Sequence, residues 1–103
     1  MRFCATLTYK PQTSSSEAVQ RRLELEESKV AGIEPVSEWW IQSTNPNTPA
    51  AFWVFEAAGV ESTMELVSRL DDLFYVDVSP VIDAASGLEA VYRMAGEQEE
   101  ATS

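Results

Sequence analysis

Residues 2–9 alternate between apolar and small polar side chains. Phe3, Ala5, Leu7 and Tyr9 fall on one side, and Cys4, Thr6 and Thr8 on the other. Period two over this length predicts a β-strand, stopped at Lys10-Pro11 because proline removes a ladder donor. The second side is small and weakly polar, which predicts that it too is covered, by another subunit. Ser14 stands three residues before Glu17, the spacing of a capping box. It predicts a helix from about Ser16 to Lys29, with Ala18, Val19, Leu23 and Val30 along one stripe, Glu17 paired to Arg21, and Gly32 as a stop. Two runs rich in β-branched and aromatic residues, Val36–Ser43 and Ala51–Ala57, then flank the polar stretch Thr44–Pro49, which reads as a hairpin with a long, mobile loop. The hairpin holds all three Trp and two of the four Phe, so it should lie at the middle of the hydrophobic structure. Phe52 and Val54 face one way and Trp53 and Phe55 the other, so both faces of its second strand are expected to be buried. Ser62 and Glu65 repeat the capping spacing ahead of Met64, Val67, Leu70 and Phe74, predicting an amphipathic helix over Ser62–Leu73. Phe74–Ser79 predicts a fourth strand, stopped by Pro80. Residues 86–95 predict a short helix with Leu88, Val91 and Tyr92 on one side.

The resulting order is β-α-β-β-α-β with a helical tail. That is the ferredoxin-like split arrangement of the α+β class: a four-stranded antiparallel sheet in the order 4-1-3-2, with both main helices on one face. One domain is expected over 1–96, followed by a flexible acidic tail over 97–103. A single helical layer covers one face of a sheet. The other face carries Thr and Cys of the first strand and hairpin aromatics, and an exposed aromatic face is a protein-contact surface. Pairing two such faces closes a barrel with the helices outside, so a homodimer is expected.

Charge narrows the partners. The chain has 103 residues and a net charge of −10. It is repelled by nucleic acid backbones and by anionic membranes, so neither is expected as a partner. Solubility is the plain reading of this charge; the sharper one is attraction of a basic protein, with DNA mimicry as its extreme form. Cys4 is the single cysteine, so no intrachain disulfide forms, and a cytoplasmic location is expected.

Absent residues narrow the chemistry further. The sequence contains no His, which removes Ser-His and Cys-His nucleophile pairs, imidazole acid–base chemistry and His-held haem or zinc. Gly32, Gly59, Gly87 and Gly96 form neither a dinucleotide fingerprint nor a phosphate loop. Asp71-Asp72 lacks the spacing of a calcium loop. No cofactor is expected.

Carboxylates, Tyr, Trp and Thr remain. Asp77 lies in a strand between Val76 and Val78; if enclosed, its pKa rises and it becomes a proton acceptor, and otherwise it is an edge-strand charge facing water. Glu38 and Glu56 carry the same two readings. Trp40 and Trp53 are candidates for an aromatic pocket that stacks on a planar ligand, against the plainer role of filling the sheet layers. Tyr9, Tyr75 and Thr8 are candidate hydrogen-bonding contacts to such a ligand. Cys4 reads as a small apolar filler.

The opening Phe-Cys-Ala-Thr-Leu-Thr-Tyr-Lys-Pro, the region around Trp39, and Val78-Ser79-Pro80-Val81-Ile82-Asp83 with its helical tail resemble the dimeric α+β barrel superfamily. That group includes antibiotic-biosynthesis monooxygenases and muconolactone-isomerase-like proteins, and the closer likeness is to a small uncharacterised family of this fold. The likeness runs over most of residues 1–95. A His often follows the second-strand Trp in the family; here that position is Trp40, so the role of that His does not carry over. The resemblance implies a small-molecule-binding homodimer, a cofactor-independent monooxygenase or isomerase acting on an aromatic or polyketide-like substrate. Composition alone supports a second reading, a non-catalytic acidic interaction protein that binds a basic protein partner.

Overall fold

The structure, a computed structural model, describes the backbone of residues 1–102 and the side chains of residues 1–96. Its elements are β1 (Arg2–Tyr9), α1 (Ser15–Glu27), β2 (Ile33–Trp40), β3 (Ala51–Ala57), α2 (Val60–Ser68), β4 (Phe74–Pro80) and α3 (Ala84–Thr102). The four strands form one antiparallel sheet in the order β2-β3-β1-β4, which is 4-1-3-2 read from the other edge. The βαββαβ topology of the α+β class is therefore present.

Local sequence accounts for α1. The Ser14 hydroxyl accepts from the Glu17 amide at 3.2 Å, and the Ser14 amide donates to the Glu17 carboxylate at 3.0 Å, closing the capping box. That use of Glu17 leaves Arg21 free to turn elsewhere. It pairs with Glu24 at 3.3 Å and donates twice to Asp72, at 2.6 and 2.8 Å, in place of the expected Glu17 contact. The Arg21–Asp72 fork fastens α1 to the turn before β4. Ala18 and Leu25, seven residues apart, are the buried positions of the helix. Val19 and Leu23 lie round the side of the helix and are exposed, contrary to the expected stripe.

Three elements, β2, α2 and α3, are bounded differently from the sequence reading. β2 begins three residues earlier than expected and ends at Trp40. Pro35 is tolerated because β2 is an edge strand with a bulge between Pro35 and Ser37, which leaves Val36 outside the register. α2 begins at Val60 behind Gly59, so Ser62 sits inside the first turn and its capping box with Glu65 does not form. The chain then leaves α2 through a turn in which Leu70 and Phe74 are still buried. α3 runs from Ala84 to Thr102, longer than 86–95, and Ser103 lies outside the described residues. Gly32, with φ +81°, does not end α1 but turns the chain into β2. Any side chain there would be strained and would meet the Ser62 hydroxyl.

The core lies on one face of the sheet. Ala5, Leu7, Trp53, Phe55 and Phe74 pack there against Ala18 and Leu25 of α1 and Leu66 and Leu70 beside them. Phe3, Val76 and Val78 pack at its margin. Strand alternation therefore sends Cys4, Thr6, Thr8, Phe52, Val54, Tyr75 and Asp77 to the other face. Among the described residues, neither α1 nor α2 packs on that face, and α3 leaves its apolar side chains exposed. Leu88, Val91 and Tyr92 of α3 are 56%, 60% and 73% exposed. The molecule measures 59 × 33 × 18 Å, with a radius of gyration of 17.4 Å, against about 13 Å for a compact chain of this length.

Candidate functional site

The sheet divides the six candidate residues into two groups. Tyr9, Trp40 and Trp53 lie on the helix side. Trp40 meets Trp53 edge-on at 6.0 Å and Phe74 at 6.3 Å, and Tyr9 lies 5.3 Å from Phe74. Trp53 is buried and forms part of the core. Its indole N–H is buried without a hydrogen-bond partner. The Arg22 guanidinium lies 5.6 Å over its ring, close enough for a cation–π contact.

Arg22 is held in turn by Glu38. Its Nε and Nη2 donate to the two Glu38 oxygens at 2.8 and 2.9 Å, and the Trp40 indole donates to the same carboxylate at 2.6 Å. Burial alone would raise the Glu38 carboxyl, but the donated bonds from Arg22 and Trp40 outweigh it and leave it below the usual glutamate range. The hydrogen bond from Arg21 likewise lowers Asp72. A lowered folded-state pKa stabilises the fold above the ordinary carboxylate value, and that contribution disappears as pH falls through the lowered one. Stability followed by circular dichroism should therefore be flat above about pH 5 and fall below about pH 4. Glu38→Gln should shallow that decline, since one linked carboxylate is gone; an unchanged acid limb would contradict it.

Hollows open on this side. A cleft of about 90 Å³ runs between α1 and β2, lined by Leu25, Val30, Ile33, Phe55 and Leu66, with Arg22 among its polar lining residues. It is smaller than the roughly 300–1,000 Å³ of ordinary ligand sites. A groove of about 330 Å³ beside it is lined by Tyr9, Val19, Arg22, Leu23, Trp40 and Ile41, among others. It brings together two of the candidate residues, Tyr9 and Trp40.

Thr8, Tyr75 and Asp77 lie on the uncovered face, separated from the first group by the sheet itself. Thr8 is the register partner of Tyr75, and Thr6 that of Asp77. Asp77 is exposed on β4, an edge strand, and Tyr75 is 59% exposed with the Lys10 amine 5.4 Å above its ring. The register extends this group across the whole sheet. Trp39 pairs with Phe52, Phe52 with Thr6, and Thr6 with Asp77, so the four form one row from edge to edge. The next row is Ser37, Val54, Cys4 and Ser79. Trp39, Phe52, Thr6 and Cys4 thus join the candidate surface, although the sequence reading did not select them as site residues. The alternation of the first strand had already put Cys4 and Thr6 on this face, and for Trp39 the signal was the Trp39-Trp40 doublet: in a strand, adjacent residues point to opposite faces, so one Trp had to face away from the helices. Glu56 is also on this face, tied to Arg2 at 2.8 Å and to the N-terminal amine at 3.4 Å. The hydrogen bond from Arg2 lowers its carboxyl.

Among the described residues, no group of three or more Cys, Asp or Glu side chains is placed to hold a metal ion, and no helix is long and apolar enough to cross a membrane. What the uncovered face offers is aromatic stacking surface, hydroxyl groups and one carboxylate in its central row. Residues 1–95 match the model of the family described as a domain of unknown function, DUF3303. The chain belongs to this family. A comparison with curated proteins finds no match. The match covers β1 through most of α3, so the uncovered face of this DUF3303 chain lies entirely within it.

Proposed function

We propose that this DUF3303 domain is a small-molecule-binding homodimer in which two uncovered sheet faces close around an aromatic or polyketide-like ligand. The row Trp39–Phe52–Thr6–Asp77 carries the reading. It aligns stacking surface with a carboxylate on a face left uncovered among the described residues. Trp39 and Phe52 stack on a planar ligand, while the Thr8 and Tyr75 hydroxyls hydrogen-bond its oxygens. Enclosure by a second copy would remove water from Asp77 and leave its carboxylate to act as a proton acceptor towards the ligand. Isomerisation needs only such a carboxylate, taking a proton from one carbon and returning it to another. Oxygen insertion without a cofactor needs a ligand electron-rich enough to reduce dioxygen itself. A lone Cys4 fits a reducing compartment, and we place the protein in the cytoplasm.

Tryptophan fluorescence during titration with a hydroxylated naphthalene tests the site. The expected result is saturable quenching that is lost in Trp39→Ala and kept in Trp40→Ala. Loss in Trp40→Ala alone would move the ligand to the helix-side groove. No saturable quenching, together with salt-sensitive binding to a basic protein, would favour the acidic interaction protein instead. Asp77→Asn should keep the quenching but slow deuterium exchange at the acidic carbon of a bound 1,3-diketone by at least about 100-fold, the lower end of general-base effects.

A further inference from the structure

One polar group of the core has no partner. Trp53 is 9% exposed, and its indole N–H is buried without a hydrogen bond. Its neighbour Trp40 donates to Glu38; Trp53 has no such carboxylate. An indole nitrogen can only donate, and a buried donor left unpaired costs free energy that an acceptor recovers.

Trp53 lines the cleft of about 90 Å³ between α1 and β2. The walls Leu25, Val30, Ile33 and Leu66 are apolar, and four charged side chains also line it, Arg22, Glu26, Lys29 and Glu38. Those charges are spent on one another. Arg22 donates to both Glu38 oxygens and, at 3.1 Å, to Glu26, and the Lys29 amine lies 3.7 Å from Glu26. The cleft opens to solvent past Glu26 and Lys29, both well exposed.

We propose that this cleft is a second binding site, which takes a small, neutral, apolar molecule with one carbonyl oxygen placed to receive the Trp53 N–H. Each part of the ligand answers a feature of the site. The donor-only indole asks for an acceptor. The self-paired charges leave no counter-ion for an ionised ligand, and an unpaired charge is costly to bury. The apolar walls take a hydrocarbon body. The volume is below the roughly 150 Å³ that holds benzene, so that body has only a few carbons. Water is a weaker occupant, because a buried water needs about two to four polar partners and the charged groups here are already paired. The indole nitrogen is closed to solvent. Arg22 lies over the ring at 5.6 Å and is about one-third exposed, so an outward shift of its side chain admits the oxygen. The cleft lies within one copy, on the helix side of the sheet, and is independent of the homodimer reading.

The test is a titration of the isotope-labelled full chain with cyclobutanone, read from the indole signals in proton–nitrogen NMR. Trp39→Phe and Trp40→Phe assign the three indole signals by elimination, so Trp53 itself stays intact. The expected result is a saturable downfield shift of the Trp53 signal as its N–H gains an acceptor. Methylenecyclobutane, the same shape without the oxygen, should bind at least about fivefold more weakly, the size of one net hydrogen bond. Equal affinity for the two would overturn the proposal, as would a Trp53 signal that stays in place throughout. Propanoate binding as tightly as the ketone would overturn the neutral ligand. Trp39→Ala should leave the titration unchanged. Loss of the Trp53 shift in that variant would move the ketone to the sheet face and overturn the cleft site.

Discussion

Phe74→Ala is expected to lower the free energy of unfolding by about 3–5 kcal/mol, the usual cost of emptying a buried phenylalanine site. Phe74 is 1% exposed and is among the largest fully buried side chains. Its ring touches Tyr9 from β1 and Trp40 from the end of β2, so one side chain ties three strands together. Its amide donates to the Leu70 carbonyl at 2.9 Å, which fixes the turn leading into β4. Trp40 is itself held by Trp53 and Glu38, which limits how far the site can collapse. A domain of this size has about 5–15 kcal/mol of stability in total, so the variant should be largely unfolded in mild urea. A loss below about 1 kcal/mol in urea denaturation would show that the neighbouring rings close the space.

Trp39→Glu should act in the opposite manner, sparing the fold and breaking the pair. Trp39 is 58% exposed in one copy, so its replacement should change the unfolding free energy by no more than about 0.5 kcal/mol. In the proposed homodimer it would be a desolvated aromatic anchor, present once in each copy, and such anchors contribute about 2 kcal/mol or more each. The dimer dissociation constant should rise by at least about 100-fold, equivalent to about 2.7 kcal/mol. Sedimentation velocity reads this directly. Dimer affinity within threefold of wild type would remove Trp39 from the interface.

The fold was legible where local rules and tertiary demands agree. Ala51–Ala57 is bounded as its alternation predicts, because β3 is paired on both sides and every second residue must enter the core. The Ser14–Glu17 box is a contact over three residues and needs no tertiary information. The β2 boundaries were not legible. Trp39-Trp40-Ile41 reads as continuous strand, and its end at Trp40 is set by pairing with Ala51 across the hairpin. Arg21 shows the same limit, since Asp72 lies far along the chain and competes successfully for it. Asp77, Thr8 and Tyr75 were legible as candidate chemistry, as were Tyr9, Trp40 and Trp53. The alternation of β1 already separated Tyr9 from Thr8, but the side on which Trp40 falls was not legible, because parity on β2 follows only once its bulge and register are known.

The charge of −10 opposes pairing, but it is screened over about 10 Å at ordinary salt. In the proposed pair, burial of the uncovered face would contribute roughly 25 cal/mol for each Å² of apolar surface. Light scattering of the full chain at micromolar concentration and moderate salt measures the outcome. The expected result is a single species at twice the 11.4 kDa chain mass. A stable species at 11.4 kDa, with well-dispersed NMR signals and Trp39 still open to solvent quenchers, would contradict the homodimer.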